Sequence, residues 1–455
     1  MFASMLRKKV MTTQTSSLHQ TLGALDLTFM GIGAIIGAGV FVLTGIAAAT
    51  KAGPAIVLSY ALAGFVAMLA AFAYAELASS IGGAGSAYHY VYVGVGEFLA
   101  WIIGWDLLLE YAISVSTVSI GWAGYVNNLL QSFHIFLPDM LTKGPYEGGV
   151  INILAVAIIA ALAILLSLGV KQSAKFNSAI VLIKLITIAV FIGVASTNVD
   201  IHNWLDFLPF GWTGVVQGAA LVFFAYIGFD ALSTAVEESA NPQRDIPIAI
   251  ISSLIICTLV YIVVSALLTG IAHYSTLNVA SPVAEALLQL NHRLAAGVIA
   301  AGAIAGLTTV ILIMFYGLTR ITMAIARDGL LPTSLASIHE KRRTPVKIIT
   351  ITGIITALIA GLAPITKAAE LVNIGTLAAF VTVNLSAIFF RHAHPDLPRP
   401  FKLPFYPLVP LLGTFFCIYL MIQLPILTWI RFISWMIIGL IVYFTYSYKH
   451  SLVGG

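Results

Sequence analysis

The sequence predicts an all-α integral membrane protein, on three observations. Of its 455 residues 60% are hydrophobic and 9% charged, far from the roughly 25% charged residues of a soluble domain, and mean hydropathy is +1.01. Apolar runs of about 20 residues, the length that crosses a ~30 Å hydrocarbon core, recur along the whole chain. Two of these runs are interrupted at corresponding places: at Gly31-Ile-Gly-Ala-Ile-Ile-Gly-Ala-Gly-Val-Phe41 in the first, and at Phe224-Ala-Tyr-Ile-Gly-Phe-Asp230 in the sixth.

Twelve runs read as transmembrane helices, at 25–47, 54–78, 97–128, 150–170, 174–196, 212–236, 246–272, 294–325, 346–363, 368–390, 405–424 and 430–448. The connections are short, so the chain is one polytopic domain. It divides into a cytoplasmic N-terminal segment (1–24), a first group of five helices (25–196), a second group of five (212–390) and two appended helices (405–448). Arg7-Lys8-Lys9 is followed by polar residues through Gln20 with no small-residue cleavage site, which does not read as a signal peptide. Of the 22 Lys and Arg, 16 fall on the N-terminal side of the predicted membrane and 5 on the other, with Lys184 inside a span. That bias places both termini in the cytoplasm and supports an even number of spans. It also accounts for the net charge of +4; the basic residues are dispersed, with no patch that would hold nucleic acid. Cys257 and Cys417 lie within apolar spans without metal-ligand spacing and read as buried thiols.

The interruptions carry the functional argument. An unpaired backbone group in hydrocarbon costs several kcal/mol, so unwound peptide at membrane depth is tolerated only where it lines a cavity. Transporters of small solutes use paired breaks as binding sites, with half-helix N-termini aimed at a carboxylate and free carbonyls at a cation or ammonium. Breaks in spans one and six, five apart, suggest an inverted repeat of spans one to five upon six to ten. In the first break, Gly31, Gly33, Gly37 and Gly39 clear side chains from a backbone that must turn and approach a ligand. The N–H groups of Gly37, Ala38 and Gly39 then open a half-helix that favours an anion. The competing reading is helix packing, since Gly33 and Gly37 have Gly-x-x-x-Gly spacing. A substrate ammonium would meet carbonyls at Ile35 or Ile36 in span one and at Phe224, Ala225 or Ile227 in span six.

Leu25-Asp-Leu-Thr-Phe-Met-Gly-Ile-Gly-Ala-Ile-Ile-Gly-Ala-Gly-Val-Phe41, Gly96-Glu-Phe-Leu-Ala-Trp-Ile-Ile-Gly-Trp105, Tyr226-Ile-Gly-Phe-Asp230 with Glu237-Glu-Ser-Ala-Asn-Pro-Gln243, Ala326-Arg-Asp-Gly-Leu-Leu-Pro332 and Arg399-Pro-Phe-Lys-Leu-Pro404 occur in this order. With them the chain resembles the amino acid, polyamine and organocation transporters, and within these the cationic amino acid transporter branch, as a bacterial-type member. The resemblance implies a leucine-transporter-like fold, alternating access, and an amino acid held between the two breaks. It further implies Phe224 as an aromatic gate, Ile227 against the substrate's α-substituents, and Met314 of span eight in the side-chain subsite.

Lys184 sits ten residues into a 23-residue span, about 15 Å from either end at ~1.5 Å per residue. A charge at that depth costs at least ~2.5 kcal/mol and marks a functional site by default; a static structural lysine is the alternative. In sodium-coupled relatives a metal bridges spans one, five and eight. A lysine in span five resembles the substitution seen in proton-coupled members, where its ammonium reaches carbonyls of span one, here around Gly31 to Gly33. The proton is then the coupling ion, and no metal or other cofactor is expected. Asp230 closes the second break and reads either as a titrating carboxylate or as a structural cap. Asp106 and Glu110, four apart, share one face of span three and read as a counter-charge to Lys184, a proton relay, or anchors to another helix. Glu237, Glu238, Arg244 and Asp245 mix signs after span six, as an inner gate or as a solvated loop.

A channel would need a continuous polar pore. The short polar residues Ser114, Ser116, Thr117 and Ser119 of span three can instead be satisfied by backbone. No Gly-x-Ser-x-Gly or His-Glu-x-x-His signature points to an enzyme. The expected activity is therefore proton-coupled import of L-amino acids across the plasma membrane. Met314, bulky and flexible, favours small and medium neutral substrates, with arginine and lysine as the alternative.

Overall fold

The computed structural model describes residues 7, 22–81, 86–169, 174–230, 232–233, 239–340, 342 and 344–452. Glu237, Glu238, Lys8, Lys9, Lys171, Lys341, Arg343 and the end of the sixth run lie outside the described residues. The remainder is almost wholly helical, and among the described residues there is no β-strand, only an isolated bridge between Leu22 and Ser239. Helices occupy the apolar runs, and among the described residues seven are long and apolar enough to cross a membrane. Five more apolar helices are shorter, at Ala24–Ile35, Ile153–Ser167, Gly211–Tyr226, Val346–Leu362 and Leu408–Ile422. The chain is thus a multi-pass membrane protein.

Two of those short helices are short because the chain unwinds. Helix α1 (Ala24–Ile35) ends where Ile36 turns extended, at φ −73° and ψ 102°. The chain resumes as α2 (residues 39–52), which opens on a π turn, Gly39–Leu43, and contains a second at Ala48–Ala52. Helices α3 (Ile56–Ile81), α4 (Ser86–Gly94), α5 (Glu97–Ser132), α6 (Ile153–Ser167) and α7 (Ala174–Ser196) follow. Helix α8 (Gly211–Val222) tightens into a 3₁₀ turn at Phe223–Tyr226 and stops where Ile227 is extended, at ψ 137°. Gly228 follows at φ +116°, a conformation that disfavours any residue with a Cβ. The chain then forms α9 (Pro242–Ile271), α10 (Pro282–Gln289), α11 (Arg293–Arg327), α12 (Val346–Leu362), α13 (Ile365–Ala393), α14 (Leu408–Ile422) and α15 (Ile426–Val442).

The broken helices lie at the centre. Helix α1 packs on α7 and α9, α5 on α11 and α13, and α9 on α3. Of α5's most apolar window 72% is buried, against 22% for Ile426–His450, so α15 is peripheral and turns Ile430, Ile433, Ile437 and Ile441 outward. Helix α10 is deeply seated: Pro282, Val283, Ala284, Ala286 and Leu287 are buried. It lies over α2, where a Cβ on Gly45 would fall 2.4 Å from Pro282.

Contact between the two breaks sets the geometry of the centre. A Cβ on Gly39 would lie 2.3 Å from the Cβ of Ala225 and 2.4 Å from its Cα, and one on Gly228 would lie 2.9 Å from the Ala34 carbonyl oxygen. Overpacking of this kind costs about 1–3 kcal/mol. Gly39→Ala is therefore expected to lower the thermal midpoint of the detergent-solubilised protein by several degrees. Gly193→Ala, at a helical position with nothing within 4 Å of the new Cβ, should leave it unchanged or raise it slightly, since Ala is favoured over Gly in helices by about 0.5–1 kcal/mol. Equal midpoints for the two variants would contradict the close approach.

Candidate functional site: the paired helix breaks

Between the breaks is a cavity of about 10 Å³ lined by Ala34, Ile35, Gly37, Ala38, Gly39, Ser114, Val118, Phe224, Ile227, Val310 and Met314. The expected residues Ile35, Gly37, Ala38, Gly39, Phe224, Ile227 and Met314 thus share one enclosure. Ile36 and Ala225 are buried beside it, their carbonyls turned to other partners. The volume matches the ~10–15 Å³ a single water needs, so admission of anything larger requires the walls to separate. Met314 Cε lies 3.1 Å from the position of a Cβ on Gly228, which places the thioether against the second break.

The carbonyls expected to be free are largely taken. Tyr261, fully buried in α9, sets its hydroxyl 2.8 Å from the Ile35 oxygen and 2.9 Å from the Ala225 oxygen. One side chain thereby spans both breaks. Lys184, also fully buried, donates from Nζ to the carbonyls of Gly33 at 2.7 Å and Ile36 at 3.0 Å. A carbonyl has two lone pairs, so each of these oxygens keeps capacity for a second donor. Further hydroxyls hold the start of α2: Tyr60 donates to Gly39 at 3.0 Å, Thr44 to Val40 at 2.9 Å, and Tyr125 to Phe41 at 2.7 Å. Sequence reasoning missed Tyr261, Tyr60 and Tyr125. Their only signal was a lone phenol inside an apolar run, and a buried phenol needs a hydrogen-bond partner.

The acidic residues gather elsewhere. Among the described residues Lys184 forms no ion pair; Glu110 lies instead within electrostatic reach of both Asp106 and Asp230. All three are buried. Tyr111 donates to Asp230 Oδ2 at 3.1 Å, and Ser233 to the Asp230 carbonyl. Asp106 and Glu110 face α13 at Gly375, where a Cβ would fall 2.8 Å from Asp106 Oδ1. Among the described residues neither Asp106 oxygen has a hydrogen-bond partner. Near the chain-terminal end of the bundle, Glu76 pairs with Nε and Nη2 of Arg391 and accepts from the Leu403 N–H at 2.7 Å. Glu97 accepts from Tyr92 at 3.2 Å and Tyr443 at 3.1 Å, and Asp328 from Tyr88 at 2.8 Å. Asp245 caps α9 at the Asn241 N–H.

The segment from residue 22 to 446 matches the family described as amino acid permease. The chain belongs to the amino acid permease family. This permease is 47% identical over 458 residues to the methylthioribose transporter of Bacillus subtilis and 46% identical over 464 residues to the branched-chain amino acid permease of the same organism, with 99% of both chains covered in each case. It is also 35% identical over 399 residues to cationic amino acid transporter 4 of Homo sapiens, across 86% of this chain and 63% of that protein. The bacterial relatives match it end to end, so the breaks and the tyrosines between them lie within the shared region.

Removing the Tyr261 hydroxyl would take away the single O–H within reach of two buried carbonyls, and an unsatisfied buried group costs about 1–3 kcal/mol. Tyr261→Phe is expected to lower the thermal midpoint and to weaken substrate affinity together. Tyr443→Phe, remote from the cavity, should weaken stability alone. A Tyr261→Phe variant with unaltered affinity would show that the bridge does not hold the site.

Proposed function

We propose that this permease imports small and medium neutral L-amino acids across the plasma membrane by proton-coupled alternating access. In this reading twelve helices cross the bilayer, both termini are cytoplasmic, and spans one to five and six to ten form an inverted repeat around the broken helices. The observation that carries it is the Lys184 ammonium on the Gly33 and Ile36 carbonyls, a cationic contact from the fifth run to the first break, next to the cavity. Gly37, Ala38 and Gly39 at the start of α2 receive the carboxylate, and the carbonyls of Ile35, Ile36, Phe224, Ala225 and Ile227 receive the ammonium. Phe224 closes over the ligand. Loss of a proton would release Lys184 from α1 and let the half-helix swing, while Asp106, Glu110 and Asp230 pass protons between the cavity and the cytoplasm.

The cavity's chemistry favours neutral substrates, because none of its eleven lining residues is acidic and a guanidinium would find no counter-charge there. The resemblance to a methylthioribose transporter supports a second reading, a sugar thioether in the same enclosure, which has no carboxylate for the α2 N-terminus. Uptake into proteoliposomes separates them. Labelled alanine should accumulate under an inward proton gradient, be released by a protonophore, and be indifferent to replacing Na⁺ by K⁺. Unlabelled amino acids should compete and methylthioribose should not. Sodium dependence would overturn the coupling, and methylthioribose uptake without amino acid uptake would overturn the substrate. Lys184→Ala should abolish gradient-driven accumulation. Met314→Ser vacates space where each methylene of mismatch is worth ~1–3 kcal/mol, so arginine should gain on alanine by roughly tenfold or more in competition. An unchanged ratio would place Met314 outside the substrate's reach.

A further inference from the structure

Helix α5 carries four short polar residues within six positions, and three of them satisfy themselves. Ser116 donates to Ala112 and Thr356, Thr117 to Ile113, and Ser119 to Val115, the usual return of a helical hydroxyl to the carbonyl one turn back. Ser114 does not. Its Oγ is buried and has no hydrogen-bond partner among the described residues, although the expectation from sequence was that backbone would satisfy it as well. Ser114 lines the cavity, and it is the one polar side chain among the eleven residues there. It follows Asp106 and Glu110 and precedes Val118 at successive four-residue steps, so these residues form one stripe along α5. Val118 and Ser114 face the cavity, and the acids continue the stripe away from it.

A hydroxyl held in an otherwise apolar wall is costly unless something supplies its partner, and the other lining side chains, Ile35, Val118, Phe224, Ile227, Val310 and Met314 with two alanines, are all apolar. We propose that Ser114 is a specificity-determining residue whose hydroxyl bonds a polar atom on the substrate's side chain, so that the permease distinguishes a β-hydroxy amino acid such as threonine from its isostere valine. A site built around a hydrogen bond discriminates against the analogue that lacks the group, because the buried partner is then left unpaired, whereas apolar contact alone separates the two weakly. The inference rests on the amino acid reading above and adds the side-chain class that the subsite prefers.

The test is inhibition of labelled L-alanine uptake in proteoliposomes by threonine and by valine, in the parent and in Ser114→Ala. The parent should be inhibited by both, and Ser114→Ala should shift the threonine-to-valine inhibition ratio toward valine by roughly three- to tenfold, the range of one neutral hydrogen bond. The thermal midpoint of the detergent-solubilised variant, expected to match the parent's, reports a folded carrier. A ratio that does not move would mean that water alone satisfies the hydroxyl, and the proposal fails. Alanine transport lost in Ser114→Ala but present in the parent would make Ser114 a packing residue and overturn it equally. Failure of both competitors and of alanine in the parent would sink the amino acid reading itself.

Discussion

Two unwound stretches of backbone pressed against each other are the constraint on which the centre of this protein depends. The contact is possible only because Gly39 presents no Cβ to Ala225 and Gly228 none to the Ala34 carbonyl. Once the backbones meet, their carbonyls are stranded in an apolar interior, where each would cost several kcal/mol. The surrounding helices supply the missing donors: Tyr261 from α9, Lys184 from α7, Tyr60 from α3 and Tyr125 from α5. The breaks are thus stable because four separate helices finish their hydrogen bonding, and any motion of one helix is felt at the site.

Of those donors, Lys184 is different in kind. A phenol is a neutral donor and an ammonium a charged one, so the Lys184 bonds to the Gly33 and Ile36 carbonyls are charge-assisted where those of the tyrosines are not. The buried acids of α5 and the end of the second break sit apart from it, joined through Tyr111. Helix α10 lies over α2, and the Glu76–Arg391 pair and the Glu97 hydroxyl cluster join helices near the chain termini.

Legibility from sequence differed by residue for physical reasons. Gly37, Gly39, Phe224 and Ile227 could be read because a break within an apolar run is visible in one dimension, and Lys184 because a charge in hydrocarbon needs a partner wherever it lies. The direction of its partner, toward the carbonyls of span one, came from family resemblance. Tyr261 could not be read, since a lone tyrosine in an apolar run looks the same whether it lines a site or packs against lipid. Ser114 was read wrongly for the opposite reason: local helical geometry offers it a carbonyl one turn back, as it does Ser116, Thr117 and Ser119, and only the position of the cavity shows why it is left unpartnered.

By itself, the sequence determined that this chain lives in a membrane, where its helices run, and where two of them unwind, because hydrophobic length, charge and glycine content act locally on the backbone. Tertiary structure alone decided which groups satisfy the unwound carbonyls, that Asp106 and Glu110 gather near Asp230 and away from Lys184, and that one serine hydroxyl faces the central cavity. Those outcomes depend on which helices become neighbours. Hydrogen bonds between residues as far apart as Ile35 and Tyr261 form only when packing brings them within about 3 Å, and no local pattern encodes that distance.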